Sequence, residues 1–405
     1  MNIVLLNDTD GRENIGCRLT SSTLKQQIRA TFGSPLTPVS LSPFPWYFGK
    51  GRKTGNVWRN GLGTFLSASR SSQTDRFIAW LTQLARQEYG NDAVTATMST
   101  DLAIFHPEGS ISNYHDASRI INLLSLPLLA CIHGISTFTM NGTFPIYPSH
   151  DRRYQIIQTF LRACRFVALR DRIAAGHYGV TFMPDSAIMH ELSTGPAASR
   201  PYVLITTGAN LSKRMNVEVA KAALRFCDDH QLKPLVLTKK HQDLKAIRAD
   251  VLHRKGQFIE QATLQEAETW IAQCALHIGG RYHMALFSLL LDVPSVLMMT
   301  NTHKNRWLAE EFNGIALATT PEDIQETATS VFGKQDGQAG RMRESLQKAQ
   351  SCFHQGIRQA SNAATPLTLG PRPSPPHADY CQALIRQLRW TDFVQYWPFG
   401  VRIHL

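Results

Sequence analysis

The chain has no paired-cysteine motif, no long apolar run and no familiar nucleotide or metal signature. Each absence removes a class of protein. Its seven cysteines, at positions 17, 131, 164, 227, 274, 352 and 381, are scattered and odd in number. Without a CxxC pair they favour neither a disulfide framework nor a zinc site, and they point to a reducing compartment. The longest apolar stretches, 120–132 and 284–299, are too short, or too broken by Pro and Asp, to span a bilayer. Residues 1–6 are apolar, but Asp8, Asp10 and Glu13 follow at once, which reads as a strand and not as a signal peptide. A soluble, cytoplasmic protein is expected. There is no HExxH, no suitably flanked DxD and no Cys/His cluster, so neither a metal nor a cofactor is expected. No Walker A loop or GxGxxG follows the first strand, so the main nucleotide cradles are missing. An RNP motif, a zinc finger and a basic heptad helix are also missing, which argues against a nucleic-acid partner.

The 405 residues, 43% hydrophobic and 18% charged, make an ordinary globular composition, long enough for two domains. The net charge of +11 suits an anionic substrate or an anionic membrane face. Its clearest cluster runs from Trp46-Tyr47-Phe48-Gly49-Lys50-Gly51-Arg52-Lys53 to Trp58-Arg59. Aromatics mixed with cations and Gly suit sugar rings, lipid head groups or RNA, and equally a solvated loop.

Apolar runs alternate with segments of helical period along the chain. Residues 2–6 read as an opening strand and 19–32 as a helix, and 33–70 are loop-rich. Helix 74–89, strand 101–105, a turn at 108–110, helix 118–124, strand 127–133 and helix 152–164 follow. Strand 166–169 delivers Arg170, and 172–178 reads as a short helix. Such alternation is what a parallel sheet with crossover helices requires. After the polar segment 191–200, ELSTGPAASR, a second set begins: strand 202–206, helix 217–230, strand 234–238, helix 242–249 and helix 264–273. Segment 362–377 is Pro-rich and extended, and 380–390 reads as a helix that crosses back onto the first domain. The expected fold is α/β: two Rossmann-like domains, 1–192 and 200–360, facing a cleft, with a tail from 361 to 405.

The most informative stretch is IGGRYHMALFSLLLDVPSVLMMTNTHK, residues 278–304. An apolar run ends in Gly279-Gly280, Arg281, Tyr282 and His283 arrive together, and an apolar helix follows until Asp292-Val293-Pro294 breaks it. In doubly wound sheets ligands lie beyond the carboxyl ends of strands, where helix N-termini present free N–H groups to anions. A fixed cation and a titratable imidazole at such a turn suit an anionic substrate that needs a proton moved. The plainer alternative is that Arg281 caps a surface loop and His283 is a satisfied buried histidine.

This segment resembles the C-terminal signature of the polysaccharide pyruvyl transferase family: G-R-x-H, an apolar helix, a V-P turn, a strand and a Lys. Here they stand as Gly280-Arg281-Tyr282-His283, Val293-Pro294 and Lys304. Three further blocks match in order. Asn7-Asp8-Thr9 with Asn14-Ile15-Gly16-Cys17-Arg18-Leu19-Thr20 resembles the family's N-terminal loop. The strand 101–105 with His106-Pro107-Glu108-Gly109-Ser110 resembles its strand and acidic turn, and Arg170-Asp171 with Pro184-Asp185-Ser186-Ala187 its R-D and D-x-A pair. The likeness spans residues 1–320. Cys17 stands where many members carry an acidic residue, and His106-Pro107 where Asn-Gly is more usual.

The resemblance implies transfer of a pyruvyl group from phosphoenolpyruvate to two hydroxyls of a sugar in a cell-surface or exopolysaccharide glycan. The products are a cyclic ketal and phosphate. It implies a donor site in the second domain and an acceptor site in the first. A phosphate and a carboxylate held close together need several cations, for which Arg170, Arg281 and Lys304 are the candidates. His283 is the candidate proton carrier. Glu108 and Asp185 are read as hydroxyl-orienting carboxylates, or equally as helix caps or partners in loop salt bridges, and His106 and His133 as structural. The implied acceptor is a sugar or lipid-linked oligosaccharide, with peripheral contact at the inner membrane face. A nucleotide-sugar glycosyltransferase of the two-Rossmann type, and a non-catalytic basic glycan- or membrane-binding relative, are the alternatives.

Overall fold

The computed structural model describes residues 1–39, 70–113, 115–208, 211–238, 244–299, 303–333, 337–364, 381–382 and 384–385. The basic aromatic segment 46–59 lies outside them, as does most of the Pro-rich stretch.

The first sheet is built from β1 (Ile3–Leu6), β2 (Leu36–Val39), β3 (Leu102–Phe105), β4 (Ser136–Gly142), β5 (Phe166–Leu169) and β6 (Thr181–Phe182). Its order is β2-β1-β3-β4-β5-β6, all parallel. The second comprises β7 (Tyr202–Gly208), β8 (Lys233–Thr238), β9 (Gln257–Glu260), β10 (Cys274–Gly280), β11 (Ser295–Met298) and β12 (Ile315–Ala318). Its order, β12-β11-β10-β7-β8-β9, again all parallel, is that of a complete Rossmann sheet. The chain is therefore two Rossmann-like domains facing a cleft. The direction in which successive strands are added reverses between β1 and β3 in the first and between β7 and β10 in the second. Those are the positions where such sheets open a crevice beyond their strand ends.

The helices are α1 (Ile15–Phe32), α2 (Arg70–Tyr89), α3 (Asn91–Met98), α4 (Ala117–Ile132), α5 (Arg152–Ala163) and α6 (Arg172–Tyr178) in the first half. In the second they are α7 (Lys213–Asp229), α8 (Arg248–His253), α9 (Leu264–Ala272), α10 (Tyr282–Leu290), α11 (Lys304–Glu311), α12 (Asp323–Phe332) and α13 (Gln338–Ala364). Each strand of a covered parallel sheet buries both faces. On β1, Val4 and Leu6 enter a core with α2, α4 and α5. Ile3 and Leu5 enter a different one with α1, α10 and α13. That second core also takes Leu204, Leu235 and Leu297 from the second sheet, so one apolar layer is common to both domains. A third core, with α7 and α12, covers the outer face of the second sheet.

Two local expectations fail. Residues 127–133, read as a strand, continue α4, and the strand lies further on, at β4. Proline inside a helix removes one N–H and so frees the carbonyl four residues earlier, which normally breaks the helix. Here the carbonyl opposite Pro127, that of Leu123, accepts the Tyr89 hydroxyl at 2.6 Å. The loop expected from residue 33 contains β2, whose Pro38 is tolerated because the strand is the sheet edge.

A C-terminal helix does return to the first domain, and it is α13. Gly356 lets it pack closely there, since a Cβ at that position would lie 2.6 Å from Met183 Cγ. Of the helix expected at 380–390, residues 381–382 and 384–385 are helical, and Cys381, Leu384 and Ile385 enter the first core. Among the described residues, no helix is long and apolar enough to cross a membrane.

Candidate active site

Three strands of the first sheet end at non-glycine residues in the left-handed region: Asn7 (φ 65°), Glu108 (φ 49°) and Asn141 (φ 61°). Such backbone costs about 1–3 kcal/mol per residue and persists only where the surroundings over-determine it. They do so here. The Asn7 amide donates to the His106 carbonyl (2.7 Å) and to Ser110 Oγ (3.1 Å), tying the end of β1 to the turn after β3. Asn141 donates to Thr20 Oγ1 (2.9 Å) and Ser186 Oγ (2.8 Å), and its Oδ1 accepts from Ser186 N (2.6 Å).

This scaffold presents Asp185. Its Oδ1 accepts from Thr20 Oγ1 (2.6 Å) and from Ala187 N (2.9 Å), so Asp185 does cap the short 3₁₀ turn Ser186–Met189. Its Oδ2 takes Arg170 Nη1 at 2.6 Å, and His283 Nε2 lies 3.2 Å from the same oxygen. Arg170 Nη1 is also 3.0 Å from His283 Nε2. Arg170 and Asp185 are 1% exposed and His283 8%, so the trio is buried. It crosses the cleft, because His283 comes from α10 and the other two from the first domain. Burial alone would raise the Asp185 pKa. The charges of His283 and Arg170 overcome that and hold it well below the usual carboxylate range. The Arg170 guanidinium also lies over the Tyr282 ring, 4.6 Å from its centroid. His283 itself packs on the first turn of α1, where a Cβ at Gly16 would meet its Cβ at 2.5 Å.

Glu108 and Lys304 complete the group. Glu108 Oε1 accepts from Cys17 Sγ (3.1 Å), and Arg12 Nη1 lies 3.6 Å from Oε2. Burial pushes Glu108 up, but His283 and Arg12 outweigh it and the carboxyl sits below its ordinary value. The next residue, Gly109, leaves room for both cations: a Cβ there would lie 2.9 Å from Lys304 Nζ and 3.5 Å from Arg170 Nη2. Two cations from opposite domains thus converge on one stretch of bare backbone. Burial, and then the neighbouring Arg170 charge, lower the Lys304 pKa to about 8.

Arg281 stands elsewhere on the rim. It precedes α10, and its Nε and Nη2 donate to Thr207 Oγ1 at the end of β7 (3.1 and 2.9 Å). Gly279 and Gly280 permit this junction. Cβ atoms there would lie 2.1 Å from Thr206 Oγ1 and 2.6 Å from Gly208 Cα. His106 lies inside the site: fully buried, with no hydrogen-bond partner for either ring nitrogen among the described residues. Burial lowers its pKa to about 4, so the ring is neutral at pH 7. His133 caps the C-terminus of α4.

The family model for polysaccharide pyruvyl transferase matches residues 14–302, more than two-thirds of the chain. The chain belongs to that family. The matched span carries Glu108, Arg170, Asp185, Arg281 and His283, while Asn7, Arg12 and Lys304 lie outside it. No curated protein matches the chain in sequence. Solved structures with the same two-domain, GT-B-like architecture share little sequence with this pyruvyl transferase family member. A Listeria monocytogenes protein described as a UDP-N-acetylglucosamine 2-epimerase is 9% identical, covers 92% of this chain and 98% of its own, and gives a TM-score of 0.56. The Neisseria meningitidis UDP-GlcNAc 2-epimerase bound to UDP-GlcNAc is 10% identical, with coverage of 91% and 100% and a TM-score of 0.51. The trehalose 6-phosphate synthase of Burkholderia multivorans is 12% identical, with coverage of 92% and 99% and a TM-score of 0.51. At these identities the likeness is one of fold.

Several residues of the site carried no assigned role in the sequence. Cys17 and Thr20 lie in the recognised N-terminal block, and Asp171 beside Arg170. Asn141 had no signal beyond a polar residue ending an apolar run. His303, next to Lys304, reaches Asp171 Oδ1 at 2.9 Å.

Proposed function

We propose that this polysaccharide pyruvyl transferase takes its pyruvyl group from phosphoenolpyruvate. The group is joined to two hydroxyls of a cell-surface glycan sugar as a ketal, with release of phosphate. The observation that carries this reading is the convergence of Arg170 and Lys304 on Gly109, beside Glu108 and the Arg170–Asp185–His283 trio. A donor bearing phosphate and carboxylate matches cations that approach from both domains over backbone without a side chain. Arg281 adds a cation at the switch point of the second sheet, where its fork is steadied by Thr207.

His283 suits proton transfer for a specific reason. With a proton on Nε2 it donates to Asp185; without one, Nε2 accepts from Arg170. Either tautomer finds a partner in place, so the ring is held in one position. Protonating the donor methylene makes C2 electrophilic, and Glu108 lies close by to orient an incoming hydroxyl. Contact with an anionic membrane face and a lipid-linked acceptor fit the net charge of +11.

The deciding experiment measures phosphate released from phosphoenolpyruvate against nucleotide released from UDP-sugars, each with sugar acceptors. The second reading, a nucleotide-sugar glycosyltransferase, rests on the shared GT-B-like architecture. Nucleotide release without phosphate release would select it.

A further inference from the structure

The proposed reaction moves two protons, and the trio described above accounts for one carrier. Two C2–O bonds form, the C2–O bond to phosphate breaks, and its electron pair leaves on the phosphate oxygen. Both hydroxyl protons are lost: one ends on the donor methylene, which becomes a methyl group, and the other on the departing phosphate. We infer that His303, held by Asp171, is a second catalytic acid–base group that carries the proton of the second hydroxyl to the leaving phosphate. This rests on the phosphoenolpyruvate reading.

The geometry is that of an oriented histidine. His303 Nε2 lies 2.9 Å from Asp171 Oδ1 and 3.4 Å from Thr143 Oγ1. Asp171 is fully buried, and its Oδ1 also accepts from Ala174 N at 2.6 Å. Burial would raise this carboxyl, but the bond and charge of His303 reverse that and lower it. An ionised acceptor places the imidazole proton on Nε2 and leaves the Nδ1 lone pair as the base, the division of labour found wherever a carboxylate steers a catalytic histidine. Among the described residues, Nδ1 makes no hydrogen bond. At the start of α11, His303 makes no side-chain bond that caps the helix; its ring crosses the cleft instead.

Its surroundings place this dyad at the reaction centre. Asp171 follows Arg170, His303 precedes Lys304, and Thr143 N donates to the Glu108 carbonyl at 2.9 Å. The dyad therefore adjoins the Arg170–Lys304 pair through its chain neighbours and Glu108 through Thr143. It is also more open: the His303 side chain is 14% exposed, that of His283 9%.

The test uses the full chain with phosphoenolpyruvate and the methyl glycosides of galactose, glucose and mannose as acceptor probes. Phosphate release is read, with thermal melting as the control for folding. His303→Ala should lower kcat by about 10²–10⁴ while KM for phosphoenolpyruvate stays within about threefold. Added imidazole should restore part of the loss, which a merely structural defect would not allow. His303→Gln, which keeps a hydrogen-bonding group, should remain slow at an unchanged melting temperature. Asp171→Asn, which retains the cap on Ala174, should cost about 10–100-fold. A His303→Ala protein within fivefold of the wild-type kcat, or one whose whole loss lies in KM, overturns the assignment and leaves the donor reading intact. A wild-type protein that neither melts higher with phosphoenolpyruvate nor releases phosphate from it overturns the donor reading, and the assignment with it.

Discussion

Where the first sheet ends, the chain turns at Asn7, Glu108 and Asn141, side-chain-bearing residues forced into left-handed backbone. Where the second ends, Gly208, Gly279 and Gly280 let β7 and β10 nearly touch. The first edge is strained and pinned by amide hydrogen bonds, and it carries Glu108, Asp171 and Asp185. The second edge depends on missing side chains; it delivers His283, His303 and Lys304 across the cleft and keeps Arg281 along β7. The two edges divide the labour. The carboxylates proposed to orient and steer belong to the rigid edge, and the groups proposed to gain or lose protons belong to the partner domain. Arg170 is the exception, a cation of the first edge reaching toward the second.

The division breaks most severely at His283. His283→Ala should cut turnover by about 10²–10⁴, and His283→Gln should be nearly as poor at a similar melting temperature. A stable Gln variant with near-normal phosphate release would make His283 a structural clasp between domains. Next comes Asp185, whose loss strands a buried guanidinium. Asp185→Ala should destabilise the fold by about 3–5 kcal/mol, read by urea unfolding, and an unchanged midpoint would show that Arg170 finds another partner.

The second edge is sharpened by pH. Lys304 has a folded pKa lowered to about 8, so it is charged below that value and loses its charge above it. Phosphoenolpyruvate affinity should therefore weaken as pH rises from 7 to 9, and Lys304→Arg, which stays charged, should flatten that slope. A wild-type affinity constant over this range would remove Lys304 from the donor site. The smallest effect lies far from both edges. Tyr89→Phe leaves the Leu123 carbonyl without its donor and should cost about 1–3 kcal/mol. Its KM should be that of the wild type, which separates fold from function in the same assay.

Most of the strand–turn–helix grammar was legible, because strands such as the fully buried 102–105 and the half-buried 166–169 stand out as short apolar runs. Segment 127–133 was not, since its apolar run and proline carry the signs of a strand boundary. The repair comes from Tyr89, 38 residues away, and no local pattern reveals it. The residues around Arg281 and His283 were legible as a turn, but not their different destinations. Adjacent in sequence to Tyr282, the two side chains part: Arg281 lies along β7 and His283 reaches Asp185. That parting, like the pairing of His303 with Asp171, depends on how two separately wound sheets meet. Sequence spacing holds no information about it.

The apolar layer shared by β1, α1, α10, α13 and the second sheet has a consequence for synthesis. When the first sheet has emerged from the ribosome, the face of α1 that α10 and α13 will cover is still bare. It stays so until about residue 364 has been made. Domains usually fold one after another as they appear, and exposed apolar surface in the interval invites aggregation. The N-terminal half expressed alone should accordingly be poorly soluble, and co-expression of the C-terminal half should rescue it. In this molecule two sheets are wound independently, and the layer between them closes only when α13 has been made.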